Sequence, residues 1–556
     1  MGVATVDDLT RPGQPDDPAG TTSEPEPDES GLEGTWRTLA VAGVVVVVAA
    51  GIVLRFWTRS ALWLDEALTV DIAKRPLSQL HQLLRQDGAP PLYYVLLHFW
   101  MKVFGTSNLG VRSLSGVISV ITLPVAWLAG RTYGRRSAWC VVLVVASAPF
   151  AIYYGTEARM YSLVMLLTAL GFLALVRAMR NPRPGNLIAV AVVAAALLYT
   201  QYWALYLLAS LGLWLLWLGR HGQPDTARRT NARWTFGALV VAGLLFVPWL
   251  PTFVFQSRHT GTPWAAPGNF GAIVSALTGF TDNQATLSAV GTNQGRLLAI
   301  IYLLFAFLGV FGVARDRWHI ELDLHTRPKA RAVGFVVFAT LVLAVGGGLI
   351  TKSGYSNRYA SVIFIPFILL VVMGAMTLRD PRARVVLFAV AALAGLAVGA
   401  QNINTQRTQA PGVAAVLTAH ARSGDVVAFC PDQLGPAVYR LTSTSGYREI
   451  TYPRSTGPAI IDWVDYKAAV QSHPTAAFVA ELEATARTGH SIWLVYASGY
   501  QGYKLRCETI ATELVGAPGY VSRNWISQNP AKYYEPMDLI EYTKSPSTTS
   551  GPTAGS

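Results

Sequence analysis

Charge is what this 556-residue sequence has least of. Only 14% of its residues are Asp, Glu, Lys or Arg, against about 25% in an ordinary soluble domain. With 52% hydrophobic residues, too few polar side chains remain to cover a water-exposed surface of this size. Cysteine is scarce too, at three, which excludes a disulfide-dense scaffold. No CxxC, HExxH or His/Cys cluster occurs, so nothing marks a structural zinc site. Long apolar runs exclude collagen and disorder of the whole chain. Acids number 32 against 44 Lys and Arg, a net charge of +12. A basic chain can bind nucleic acid, but the low charged fraction argues against such a partner.

The charge is unevenly placed. Residues 1–34 hold nine acids and one base, residues 35–402 hold 31 bases and 11 acids, and residues 403–556 hold twelve of each. The first stretch, rich in Pro, Gly, Ser and acid, is read as a disordered cytoplasmic tail. It has no positive n-region, so a cleaved signal peptide is not expected. The middle stretch, 35–402, reads as a polytopic membrane domain with Arg-rich cytoplasmic loops.

Apolar runs long enough for a bilayer fall at about 36–54, 112–130, 138–154, 160–178, 186–200, 203–219, 235–253, 296–314, 334–350, 360–378 and 385–401, eleven in all. The run 90–104 is shorter, opens with Pro90-Pro91 and carries His98 and Lys102. It reads as an interfacial helix. If it does not cross and the N-terminus is cytoplasmic, the loops 131–136, 177–183, 220–233, 315–331 and 379–384 face the cytoplasm with 18 of the 31 bases. The charge rule therefore favours eleven spans, N-terminus in and C-terminus out, in a cell membrane.

After residue 403 the pattern changes. Residues 425–430 and 491–497 read as buried strands, and 410–422 and 475–488 as helices between them. A small extracytoplasmic α/β domain over 403–545 fits, with a flexible tail at 546–556. Cys430 and Cys507 both fall in it; a bridge and two separate buried thiols both remain open.

Three clusters carry candidate chemistry, because ionisable groups near a bilayer are costly and tend to be functional. Asp65 and Glu66 follow Leu62-Trp63-Leu64, where partial desolvation makes a carboxylate a better base; a helix N-terminal acid pair is the plainer alternative. Glu157 and Arg159 share a very short outer loop, either as an internal ion pair or with Arg159 on a phosphate. Lys352, Arg358 and Tyr359 flank another outer loop, with Pro366 beyond. Cations on that side call for an anion, lipid head groups or a bound phosphate. Tyr93, His98 and Gln201 are weaker candidates. Acids that can deprotonate a hydroxyl, with cations that can hold a phosphate, suggest transfer of a sugar from a lipid-linked phosphate.

In order along the chain, Asp65-Glu66, Asp87-Gly-Ala-Pro90-Pro91-Leu92-Tyr93-Tyr94, Phe104-Gly105, Val111-Arg112-Ser113, Glu157-Ala-Arg159-Met-Tyr161 and Arg358-Tyr359 with Pro366 resemble the GT-C class of membrane glycosyltransferases. The branch is the protein O-mannosyltransferase and lipid A aminoarabinose transferase superfamily. The resemblance covers about residues 55–370. It implies a GT-C fold with interfacial juxtamembrane helices, a polyprenyl-phosphate sugar donor and transfer on the extracytoplasmic face. It places the catalytic acid on Asp65, with Glu66 its partner. Glu157 and Arg159 would line the cavity, Arg358 and Lys352 would meet the phosphate, and Tyr93 and Tyr359 would flank it. Ala89 and Gln201 stand where many relatives have His, so no metal site is carried over and a divalent cation stays open.

Within that class the chain is most similar to actinobacterial cell-envelope mannosyltransferases, such as the enzyme that begins the mannose caps of lipoarabinomannan. The acceptor would be a cell-envelope glycan or glycolipid. A polyprenyl-phosphate arabinofuranose donor is the nearest alternative. A lipid-linked sugar transporter or flippase is the alternative of another class, disfavoured because the acids gather at one face.

Overall fold

The computed structural model describes residues 35–221, 227–261, 269–282, 292–317, 319–323, 328–351, 354–442, 446–486, 489–500 and 502–544. The expected tails at 1–34 and 546–556 and the candidate Lys352 lie outside them. The chain divides into two compact units. One contains residues up to Thr58, Ala89–Pro251 and Pro267–Asn404; the other contains Arg59–Gly88, Thr252–Ala266 and the chain from Thr405. The sequence reading assigned all of 35–402 to one domain. By packing, 59–88 and 252–261 group with the C-terminal chain, through long-range contacts that local patterning does not reveal.

The first unit is helical apart from a hairpin of β1 (Gly312–Ala314) and β2 (Ile320–Leu322). All eleven expected apolar segments are mainly helical. Among the described residues, eight helices are long and apolar enough to cross a membrane. A ninth candidate is broken: helices Arg135–Ser147 and Pro149–Gly155 meet at 57°. The break falls at Ala148, whose backbone is extended, because proline disfavours helix in the residue before it. Helix Pro184–Leu198 has 15 residues and helix Leu92–Phe104 has 13, both short of the roughly 20 that a hydrocarbon core needs.

Burial separates the helices by role. Every residue of helix Ser361–Ala375 is buried, as expected of a segment apolar on all sides. Its neighbour Asn293–Phe311 approaches closely through glycine. A Cβ on Gly374 would fall 1.7 Å from the Phe305 carbonyl oxygen, and one on Gly309 would fall 2.3 Å from that of Leu370. Small residues allow such backbone contact between membrane helices. Other helices turn large apolar side chains outward: Val46, Ile188, Leu244, Ile300, Phe338 and Leu393 are each more than half exposed. Such a surface suits lipid. The chain is a multi-pass membrane protein.

The second unit holds a five-stranded sheet in the order β5 (Arg448–Thr451), β4 (Val426–Cys430), β6 (Ser491–Tyr496), β9 (Asp538–Lys544), β7 (Tyr520–Ile526). Strand β4 runs parallel to β5 and β6, and β9 runs antiparallel to β6 and β7. Strand β4 is buried throughout, which explains its unbroken apolar run. Val427, Phe429, Trp493, Val495 and Leu539 pack with Val413 and Leu417 of helix Ala410–His420. At the edge, β7 is mostly exposed and carries Ser522, Arg523 and Asn524, polar residues that discourage strand addition. Asp425 anchors the start of the sheet. It accepts the Ser491 and Arg422 amides at 3.0 and 2.8 Å and the Trp493 indole N–H at 3.1 Å. Cys430 and Cys507 form a disulfide, with Cα atoms 5.4 Å apart. A separate two-stranded ladder pairs β3 (Gln406–Thr408) with β8 (Tyr533–Glu535) in parallel.

Candidate functional site

In the second unit, Asp65 and Glu66 occupy the first turn of helix Leu64–Ala73. Carboxylates are favoured there by the helix dipole. Trp63, the N-cap residue, provides no side-chain cap, so the first amides need other acceptors. The Leu64 N–H donates to Glu535 Oε1 at 3.2 Å, across 471 residues of sequence. The Trp63 ring packs edge-on against Tyr534 at 4.9 Å.

Successive helical residues diverge by about 100°, and this separates the two acids. Glu66 is wholly buried and pairs with buried Arg407, Nη1 to Oε2 at 3.3 Å. Asp65 is half-buried. Further along, burial pushes Asp71 up to about 6, although Lys74, Arg440 and Arg75 oppose the shift. Burial pushes Glu535 up to about 8; the Thr408 hydroxyl and the Leu64 amide act against this, and the Asp65 charge adds to it. Asp432, at the end of β4, is pushed up to about 7 by burial, partly offset by donors from Tyr466 and Tyr503.

In the first unit, Glu157 is buried in the turn between helices Pro149–Gly155 and Tyr161–Arg180. The Arg159 N–H donates to the Glu157 carbonyl at 2.7 Å, and Arg159 Nη1 reaches the Tyr94 hydroxyl at 3.4 Å. The hydroxyls of Tyr93 and Ser115 are 2.8 Å apart, and Ser115 donates to the Arg159 carbonyl at 3.2 Å. Tyr93 and Arg159 are thus joined through Ser115. Arg358 sits in the 3-10 turn Asn357–Ala360, its guanidinium 5.8 Å from the Tyr359 ring centre. The Tyr359 ring lies beside Trp203 at 5.7 Å, and Ser361 donates to Gln201 Oε1 at 3.2 Å. Tyr154 is within electrostatic reach of both Glu157 and Arg358. An apolar cavity of about 140 Å³, walled by Phe172, Leu211 and Trp214 with Arg228 and Arg331, includes none of these candidates.

Sequence reasoning missed Arg407 and Glu535. Arg407 lies in the polar run Asn404-Thr-Gln-Arg-Thr-Gln409 and Glu535 between Lys532 and Asp538, so neither stands out locally, and neither lies near Asp65 in the chain. Among the described residues no three of His, Cys, Asp and Glu gather as a metal site.

The arrangement of helices and sheet is that of the GT-C glycosyltransferase fold. It matches the structure of ArnT from Cupriavidus metallidurans bound to undecaprenyl phosphate at a TM-score of 0.53 and 11% identity, covering 92% of this chain and 98% of that one. The apo form of ArnT matches at 0.54 and 12% identity, covering 91% and 97%. A weaker likeness, 0.49 at 10% identity over 92% of this chain and 75% of that one, links it to the oligosaccharyltransferase AglB from Archaeoglobus fulgidus. The family model for dolichyl-phosphate-mannose-protein mannosyltransferase matches residues 88–251. No curated protein sequence matches the chain.

Proposed function

We propose that the chain is an inverting glycosyltransferase that moves a sugar, mannose in the first instance, from a polyprenyl-phosphate donor to a cell-envelope glycan or glycolipid. The observation that carries this reading is the Asp65–Glu66 turn, where one carboxylate is wholly buried in an ion pair and its neighbour is half-buried. A paired, fully buried Glu66 is a poor proton acceptor, so Asp65 takes the role of base. The ArnT fold and the mannosyltransferase family match over 88–251 support a polyprenyl-phosphate donor.

The chemistry balances without a further reagent. Asp65 removes the proton of the acceptor hydroxyl, and that oxygen attacks the anomeric carbon from the face opposite the phosphate. The bond from that carbon to the phosphate oxygen breaks, and the polyprenyl phosphate leaves with the electron pair. Arg159 and Arg358 stabilise the growing negative charge on the leaving phosphate. Glu157, Tyr93 and Tyr359 shape that region, with Lys352 assigned to the same phosphate. We place the reaction on the extracytoplasmic face, with the region from 403 outside and the N-terminus inside. The cytoplasmic excess of Arg and Lys and a Cys430–Cys507 disulfide, which belongs in an oxidising compartment, support that orientation.

The test is transfer by the purified protein from a panel of radiolabelled polyprenyl-phosphate sugars. Mannose transfer by wild type and none by Asp65→Asn is expected. Transfer of arabinofuranose alone would reassign the donor, and normal turnover by Asp65→Asn would remove Asp65 as base.

A further inference from the structure

The turn that bears Asp65 is held from one side by the C-terminal chain. Residues from both strands of the β3–β8 ladder take part. From β3, Arg407 pairs with Glu66 at 3.3 Å, and its own amide donates to the Ser60 hydroxyl at 2.8 Å. From β8, Glu535 accepts the Leu64 amide at 3.2 Å. Asp65 lies between the two residues so fixed. The ladder is itself anchored. Gln409 Oε1 accepts the amides of Asn529 and Met537, each at 3.2 Å, and its Nε2 donates to the Ser527 carbonyl at 2.9 Å. Met537, two residues past Glu535, is fully buried in the sheet core. A shift of Glu535 therefore has to disturb the sheet.

We infer that Arg407 and Glu535 are positioning residues for Asp65, which makes the C-terminal chain part of the catalytic machinery and not an accessory to it. The inference rests on Asp65 being the base. The physical argument concerns geometry and charge together. A base must reach its proton within about 3 Å, and a displacement of about 1 Å can cost a hundredfold in rate. Trp63 cannot cap the helix, so without Glu535 nothing in its own neighbourhood fixes the Leu64 amide. Burial keeps Glu535 neutral up to about pH 8, although the Leu64 amide favours the ionised form. The groups facing it are Asp65, Tyr500, the Thr408 hydroxyl and the Glu66–Arg407 pair. An ionised Glu535 puts a further negative charge beside Asp65, and the two carboxylates repel. The turn would then open to water.

The experiment uses full-length protein in detergent and radiolabelled polyprenyl-phosphate mannose. Glu535→Ala and Arg407→Met are expected to lower kcat at least about tenfold while the donor KM stays within about twofold. Glu535→Gln keeps an oxygen for the Leu64 amide and should recover to within about threefold of wild type near neutral pH. The wild-type rate should fall above pH about 8, where Glu535 ionises, and that fall should be absent in Glu535→Gln. Full kcat in both Glu535→Ala and Arg407→Met, with Asp65→Asn inactive, would overturn this inference alone. Should Glu535→Ala fail to fold, an unchanged alkaline limb in Glu535→Gln would overturn it equally. Activity of Asp65→Asn would instead overturn the underlying reading of the base.

Discussion

The two units meet their surroundings in opposite ways. The membrane unit buries a few charges, Arg55, Arg112 and Glu157 among them, and turns many apolar residues outward. Val46, Leu244, Ile300 and Phe338 lie open because lipid is their solvent. The C-terminal unit buries its apolar residues and, with them, several acids: Glu66, Asp432 and Glu535 are almost wholly inside. Burying a carboxylate away from water is costly unless it is paired or neutral. Glu66 is paired and Glu535 is pushed toward neutrality, and both flank Asp65. In the C-terminal unit, two of these buried acids gather at one helix turn, while Asp432 is held by Tyr466 and Tyr503.

That contrast can be broken at several points. Asp65→Asn should have the largest effect on chemistry, a loss of about 10³-fold or more in kcat with normal membrane insertion, since removing a general base costs about 10²–10⁴. Membrane extraction and gel filtration separate this from misfolding. Gly374→Leu should act on the membrane unit by another route. Its side chain would collide with the Phe305 carbonyl, so little folded protein should be recovered, whereas Gly43→Leu, with open space around it, should be tolerated. Arg358→Ala should cost about 10²-fold in turnover, within the range seen when one charge-stabilising donor is removed. A panel of donors with shortened prenyl chains would show whether the loss follows the phosphate or the tail.

Smaller effects sharpen the picture of the C-terminal unit. Replacing both Cys430 and Cys507 with Ala releases a loop of 77 residues and should cost about 2–4 kcal/mol, read as a lower thermal midpoint. The pH dependence of stability should have a definite sign. Asp432, Glu449 and Glu535 have folded values raised by burial to about 7, 7 and 8. Their contribution is complete below about pH 4 and is lost as pH rises through those values. Thermal unfolding followed by tryptophan fluorescence should therefore give a midpoint that falls from pH 5 to pH 8.5. Asp432→Asn should flatten the slope, since Asn still accepts from Tyr503.

Much of the architecture was legible without coordinates. The eleven apolar runs are mainly helical, though 138–154 is broken at Ala148 and 296–314 ends in β1, and the strands at 425–430 and 491–497 are β4 and β6 with boundaries shifted by a residue. The kink at Ala148 could have been seen in Pro149, but the hydropathy of 138–154 concealed it. At the candidate site, the very short loop at 155–159 was legible from the apolar runs on either side of it, whereas the Tyr93–Arg159 connection appears only in the fold. Arg407 and Glu535 carry no such mark. A single Arg after a spanning helix, or a Glu before Pro536, is unremarkable until the fold brings it to Leu64 and Glu66.

The amino-acid sequence by itself determined the solvent of each region. Composition and the spacing of apolar residues decide what faces lipid, what forms a sheet core and where charges must stop, because those preferences are local and additive along the chain. Only the tertiary structure decided which of two adjacent carboxylates is locked in a buried ion pair and which stays half-buried. That choice depends on a buried cation and a capping acid delivered from far along the chain, and no local preference encodes their arrival.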